Sequence, residues 1–256
     1  GNVIALTAEA KALGIKRGAP FFQVKDILEK NNVAVFSSNI MLYAAMSKRV
    51  QSIMRNTVAH TESYSIDEQF LYLDGYEKNY DLVELMRGMV RKIALYTDIP
   101  VSIGIARTKT LAKVASKFAK NFKGYRGVCM IDTEEKRRKA LSMFDLADVW
   151  GIGPRTYAKL AALGVSTPME FADKPGDWVQ RFFHKPGYQT WLELNGMYRH
   201  RRNPAATEHH DVAEFRENDL IQGTAQIFGS ELRRKLLQYP QRPGFRRGMC
   251  QCLCVQ

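Results

Sequence analysis

Hydrophobic positions recur along this chain with two different periods, and the switches between them mark out most of its elements. Over 39–57, Tyr43, Met46, Val50 and Ile53 return every three or four residues, which predicts a helix with Lys48, Arg49 and Arg55 elsewhere on its surface. From 60 to 74 the period falls toward two, as in a β-hairpin. Helical spacing returns over 79–96, where Leu82, Leu85, Met89, Ile93 and Tyr96 share one face. Residues 101–106 (VSIGIA) read as a strand, 108–122 as a helix and 127–131 as a further strand. Upstream, residues 7–14 read as a short helix capped by Thr7 and ended by Gly14, Gly18-Ala19-Pro20 as a turn, and 33–36 as a short strand.

From residue 39 the order is thus α-β-β-α-β-α-β. A ferredoxin-like β-α-β-β-α-β unit has this order, with one more strand in front. No counterpart of that leading strand is found, so the sheet is expected to carry unpaired backbone groups and a partly molten character. After about residue 138 the pattern turns helical and loop-rich through 202, which predicts a second, all-α module. Beyond roughly 208 the periodicity weakens, and Pro240-Gln-Arg-Pro243-Gly244 breaks the chain. The fold class expected is α+β.

Composition narrows the class. At about 150 residues per domain, 256 residues suggest two or more modules. An apolar fraction of 45% is too high for disorder, and no apolar run reaches the roughly 18 residues a membrane span needs. The first residues show neither a basic nor an apolar leader, so no signal peptide is expected. Lys and Arg number 38 against 26 Asp and Glu, a net charge of +12 that favours a polyanionic partner over a neutral small molecule. Cys129 is isolated and Cys250, Cys252 and Cys254 match no standard zinc spacing, which suggests a reducing setting. The five histidines assemble into no ligand or general-base arrangement.

Three constellations carry chemistry. In Tyr64-Ser65-Ile66-Asp67-Glu68, two neighbouring acids sit inside an apolar hairpin, where burying carboxylates is costly unless they bind a cation. Neighbouring strand residues face opposite ways, so both acids reach one site only at a bend or a strand end. Mg²⁺ wants such carboxylate oxygens together with phosphate oxygens, the combination that builds nucleotidyl-transfer sites; a solvated turn is the plainer reading. The helix 107–126 carries Arg107, Lys109, Lys113, Lys117, Lys120, Lys123 and Arg126 without one acid. Lys113, Lys117 and Lys120 fall within about 80° of Lys109, a positive stripe suited to a triphosphate or a nucleic-acid backbone. Opposite it, Leu111, Val114, Ala115, Phe118 and Phe122 make a face to bury. In Trp150-Gly151-Ile152-Gly153-Pro154, with Lys159-Leu160 and Leu163-Gly164-Val165 behind, a glycine turn leads into a helix whose N-terminal amides suit a phosphate. This is the helix-hairpin-helix pattern, which grips DNA backbone without reading sequence. Thr167-Pro168-Met169-Glu170 has the form of a capping box.

Taken together, 8–15 (AEAKALGI), 36–39 (FSSN), 64–68 (YSIDE), 108–113 (TKTLAK) and 149–153 (VWGIG) resemble the Y-family DNA polymerases, most of all the UmuC-type translesion enzymes of bacteria. The resemblance covers roughly residues 1–207. It implies a partial right hand: small fingers over 1–38, a ferredoxin-like palm over 39–137, an all-α helix-hairpin-helix thumb over 138–207, and a divergent or truncated little finger over 208–256. It implies DNA-directed DNA synthesis past damaged bases, part of DNA repair and the SOS response, by two-metal nucleotidyl transfer. Asp67 and Glu68 would then be the catalytic and Mg²⁺-binding pair, Lys11 and Lys120 would bind the nucleotide, and Gly151, Gly153, Lys109 and Lys113 would contact DNA. The partners implied are damaged primer-template DNA and deoxynucleoside triphosphates, with a sliding clamp and a UmuD-type accessory subunit as further candidates, in a cytoplasmic, nucleoid-associated setting and with no membrane.

The departures from the family pattern are as specific. Its first motif, an aspartate-bearing strand followed by an aromatic steric gate, has no match here, so one metal carboxylate is missing from the chain as it stands. Residues 208–256 fall short of the on the order of a hundred that a small domain needs, and 248–255 (GMCQCLCV) look foreign to the family. A shift of reading frame near residue 207 is the expectation, which sequencing the source locus would test. The alternative function is a non-catalytic DNA-binding remnant of such a polymerase.

Overall fold

The computed structural model describes residues 1–197, 212–217 and 252–255. It divides into two compact units, one of Gly1–Arg49, Leu95–Pro100 and Glu217–Gln256, the other of Val50–Ala94 and Val101–Arg216. The expected proline break at 240–244 and the tandem His209-His210 lie outside the described residues, as does the predicted helical stretch from 198 to 202.

In the first unit, β1 (Val3–Leu6) leads through α1 (Ala8–Ala12) and α2 (Phe21–Lys30) to β2 (Ala34–Ser37). The Thr7 hydroxyl caps α1 by accepting from the Ala10 amide at 3.3 Å. A strand from the far end of the chain, Cys252–Val255, lies between β1 and β2, antiparallel to the first and parallel to the second. Val3, Leu6, Ala10, Ile15, Val24, Leu28 and Val33 form this unit's core. Helix α2 carries a recognisable stripe in Val24 and Leu28, but Phe22 stands 75% exposed beside it and blurs the period.

The second unit is built on a five-stranded sheet. Its strands in chain order are β3 (His60–Ser63), β4 (Glu68–Tyr72), β5 (Val101–Ala106), β6 (Val128–Ile131) and β7 (Val212–Glu217), and their order in space is β3-β4-β7-β5-β6. Strands β3 and β4 form the predicted hairpin, with Glu62 opposite Phe70. Strands β5 and β6 run parallel, joined by α5 (Lys109–Asn121). The helices α3 (Ile40–Arg55) and α4 (Leu82–Thr97) fall within a few residues of the ranges their periodicity predicts. The expectation of an unfilled sheet is corrected here: β7 pairs antiparallel with β4, Glu68 opposite Arg216 and Tyr72 opposite Val212, and occupies the place between β4 and β5. A strand from more than a hundred residues downstream thus satisfies the backbone groups that chain order had left open.

Beyond β6, the helices α6 (Glu134–Met143), α7 (Pro154–Ala162), α8 (Pro168–Ala172) and α9 (Gly176–Leu194) make the predicted helical module. The Thr167 hydroxyl and the Glu170 carboxylate form the anticipated capping box at α8. Helix α9 is kinked where His184 takes a positive φ of 50° two residues before Pro186, which lacks the amide needed to continue the ladder. One core runs from α5 through this module, with Leu111, Ala115, Leu141, Leu146, Leu160 and Phe171 among its buried members. Phe122, expected on the buried face of α5, is instead 49% exposed because the helix ends at Asn121 and the chain turns away.

Strand β5 is buried along its whole length, and α5 lies directly on it. Gly104 makes this possible. A Cβ there would stand 2.0 Å from the Ala112 carbonyl oxygen and 2.1 Å from the Ser116 nitrogen, so the backbones touch where any other residue would hold them apart.

Candidate active site

The turn between β3 and β4 places the two acids. The amides of Tyr64 and Ser65 both donate to the Glu68 carbonyl, at 3.1 and 3.0 Å, which closes a tight loop. Inside it the Ser65 hydroxyl donates to Asp67 Oδ1 at 2.5 Å and accepts from the Asp67 amide at 3.3 Å. Asp67 is therefore the last residue of the turn and Glu68 the first of β4. Both are half-buried. This is the bend that two adjacent acids need if they are to serve one site.

Helix α5 brings its lysines to the same hairpin. Lys109 Nζ lies 2.7 Å from both carboxylate oxygens of Glu62 on β3, and the Tyr72 hydroxyl donates to Glu62 Oε2 at 2.6 Å. One turn along, Lys113 Nζ lies 2.8 Å from Glu68 Oε2, with the two side chains only 14% and 13% exposed. Lys113 is also set against the rings of Tyr64 at 4.8 Å, Trp150 at 5.2 Å and Phe70 at 5.8 Å. Trp150 packs edge-on to Tyr64 and donates its indole N–H to the Tyr64 hydroxyl at 3.2 Å. A further turn along, Lys117 pairs with Asp148. The stripe expected to meet phosphate is thus a row of lysines of which three already face carboxylates from other elements. Lys120, next on the stripe, is exposed.

The Glu62 carboxyl shows what this pairing does. Burial alone would raise its pKa, but the hydrogen bonds from Lys109 and Tyr72, with the Lys109 charge, hold it below its ordinary 4.5. A carboxyl lowered in the folded state contributes stability that is present above its unfolded value and lost as pH falls through the folded one. Part of the acid sensitivity is therefore expected to appear below pH 4.5 and to disappear in Glu62→Gln, as read by thermal melts between pH 3 and 6.

The glycine turn is equally specific. Gly151 has a φ of +93°, and a Cβ there would stand 2.2 Å from Thr190 Oγ1 on α9. Gly153 caps α7 in extended conformation, and Pro154 follows at the first helical position, where a missing amide costs least. Buried Ile152 anchors the loop from below. Lys11 lies exposed on α1, in the other unit.

Residues 1–117 match the model of the impB/mucB/samB family. Protein MucB of Escherichia coli is 35% identical over 210 residues, 81% of this chain and 50% of that protein. Protein UmuC of Salmonella typhimurium is 38% identical over 197 residues, 77% of this chain and 47% of that protein. Among solved structures, DinB from Sulfolobus solfataricus superposes with a TM-score of 0.60 at 25% identity, over 73% of this chain and 53% of the other. The chain is thus similar to the impB/mucB/samB family over its first 117 residues, and to UmuC-type proteins over about three quarters of its length. It spans about half the length of the curated relatives it matches.

The donor set at the hairpin can be tested against the metal the resemblance implies. Mg²⁺ keeps several waters and needs only one or two protein carboxylates beside substrate phosphates. Asp67 and Glu68 supply hard oxygen donors on adjacent residues, half-buried and at a bend, and so fit. Among the described residues, no group of three His, Cys, Asp or Glu side chains is gathered.

Reading the sequence missed Glu62, Tyr72 and Asp148 as partners of the lysine row, and quoted Trp150 without a role. One signal pointed toward them: a buried-sided helix with no acid of its own has to find its counter-charges on other elements.

Proposed function

We propose that this chain carries the catalytic and DNA-gripping part of a polymerase that extends primers past damaged template bases by nucleotidyl transfer. The observation that carries the reading is the pair Asp67 and Glu68 at the start of β4, faced by the lysine row of α5, in a chain similar to UmuC-type proteins. Asp67 and Glu68 would hold Mg²⁺. When bound, Mg²⁺ would compensate charge at the reacting phosphate and favour the ionised primer hydroxyl. The hairpin's contribution is to fix both carboxylates on one rigid turn, with Ser65 orienting Asp67 and Lys113 orienting Glu68.

Lys120, exposed at the end of the stripe, would bind the triphosphate, as would Lys11. The amides around Gly151 and Gly153 would contact the DNA backbone, which suits grip without sequence preference. Lys109 and Lys113 would contact DNA only by exchanging Glu62 and Glu68 for phosphate, so their share in binding is smaller than the stripe alone suggests. The reading extends to fingers, palm and thumb in chain order, to deoxynucleoside triphosphates and damaged primer-template as substrates, and to a clamp and a UmuD-type subunit as partners in the cytoplasm. No described helix is long and apolar enough to cross a membrane.

Primer extension tests it. The 256-residue chain, incubated with primer-template, deoxynucleoside triphosphates and Mg²⁺, is expected to bind the duplex weakly and to add nucleotides slowly, in a reaction stopped by EDTA. DNA binding without any addition would favour the second reading, a binding remnant, for which the occupation of Glu68 by Lys113 speaks.

A further inference from the structure

We infer that Lys113 is the resident counter-ion of the acidic hairpin, holding Glu68 aimed until a divalent cation displaces it. The inference rests on Asp67 and Glu68 being the metal donors. The Glu68 side chain is only 13% exposed, and a carboxylate so far out of water is unfavourable unless a cation faces it. Lys113 provides that partner from a fixed seat: its ammonium lies 2.8 Å from Glu68 Oε2 and within 4.8 to 5.8 Å of three aromatic rings. The rings restrain where the ammonium sits, because their faces attract a cation. They are themselves tied together, Trp150 to Tyr64 by a hydrogen bond and Tyr64 to Phe70 by ring contact at 5.9 Å.

The same oxygen cannot serve two cations at full strength. A metal ion arriving at Glu68 must overcome a unit positive charge already in contact with it. The lysine therefore keeps the site organised in the absence of metal and weakens the metal's hold. Lys109 makes a useful contrast, since it carries the same charge one helical turn away but is engaged with Glu62, outside the acidic pair. Lys113 is a positioning residue in this scheme, since it acts through Glu68.

The test is Mn²⁺ binding to the full 256-residue chain, followed by the loss of the free-ion electron paramagnetic resonance signal, with no DNA or nucleotide present. Lys113→Met removes the charge and leaves an unbranched, polarisable chain that suits the ring seat. It is expected to tighten Mn²⁺ binding on the order of tenfold, the scale of a unit charge a few ångströms away in a partly screened site. Lys113→Gln supplies the same test should the methionine variant fold poorly, and Lys113→Arg is expected to bind Mn²⁺ as the unmodified chain does. Lys109→Met is expected to change Mn²⁺ binding by less than about twofold, because Lys109 is paired with Glu62 and not with either donor. Unchanged or weaker Mn²⁺ binding in both neutral variants at position 113 would overturn the inference, because a purely structural ion pair would shift melting and leave affinity alone. Mn²⁺ binding that survives Glu68→Gln and Asp67→Ala would instead overturn the metal reading of the hairpin itself, a result distinguishable from the first.

Discussion

Asp67→Ala is expected to cut primer extension by about a thousandfold or more while leaving the fold intact. A bound divalent ion supplies several kcal/mol of charge stabilisation at a reacting phosphate, and each 1.36 kcal/mol is a factor of ten in rate. Removing one of two adjacent donors forfeits most of that. The structural cost should be small. Asp67 ends a turn whose closure depends on the Tyr64 and Ser65 amides bonding to the Glu68 carbonyl, and neither bond involves the Asp67 side chain. Among the described residues its carboxylate is held by the Ser65 hydroxyl. Melting is therefore expected to move by about 1 kcal/mol or less. DNA affinity in the absence of nucleotide should hold within about twofold, because phosphate neutralisation by lysine and arginine dominates it. Single-turnover extension beside a gel shift and a thermal melt separates these effects. Extension that persists at near-normal rate would remove Asp67 from the chemistry, and a collapsed melt would show the turn to depend on it after all.

Local pattern made much of this structure legible. Strand β5 and helix α5 were read to within a residue or two, because an apolar run of six and an apolar stripe over thirteen residues are properties of contiguous sequence. The capping box at Thr167 was legible for the same reason, its two partners being three residues apart. What stayed hidden lies far apart in the chain. Lys109 meets Glu62 across 47 residues, Lys113 meets Glu68 across 45 and Lys117 meets Asp148 across 31. Periodicity could align the three lysines but could not say that carboxylates would meet them, so a stripe that looked ready for phosphate proved to be largely compensated. Strand β7 is the extreme case. Its six residues, 212–217 (VAEFRE), alternate weakly, and only the sheet's unsatisfied edges next to β4 and β5 give them a place. The hairpin acids fall between these limits. Their adjacency was visible, the need for a bend followed from strand geometry, and Ser65, two residues away, was the residue that made it.

Gly104→Ala should be the most damaging glycine-to-alanine change among the described residues, destabilising the chain by about 3 kcal/mol or more. Overpacking a close-packed interior commonly costs about 1 to 3 kcal/mol when side chains can move aside. Here the added carbon would lie 2.0 Å from the Ala112 carbonyl oxygen, 2.1 Å from the Ser116 nitrogen and 2.8 Å from the Ala115 carbonyl carbon, all backbone atoms of α5. No rotamer change relieves such a clash, so α5 has to lift from β5. The displacement breaks the packing of Leu111, Ala112 and Ala115, which are buried in the core shared with the helical module. It also moves Lys109 and Lys113 away from the hairpin, so primer extension should fall even in molecules that remain folded. At roughly 2 to 4 °C per kcal/mol for a domain of this size, the melting temperature should drop by about 10 °C. Gly124→Ala is the matched control: it adds the same methyl group in a three-ten turn where nothing lies within 4 Å, and should shift stability by no more than about 0.5 kcal/mol. Equal melting of the two variants would mean that β5 and α5 stand further apart than this, and that the lysine row is held to the hairpin by its ion pairs rather than by the strand beneath it.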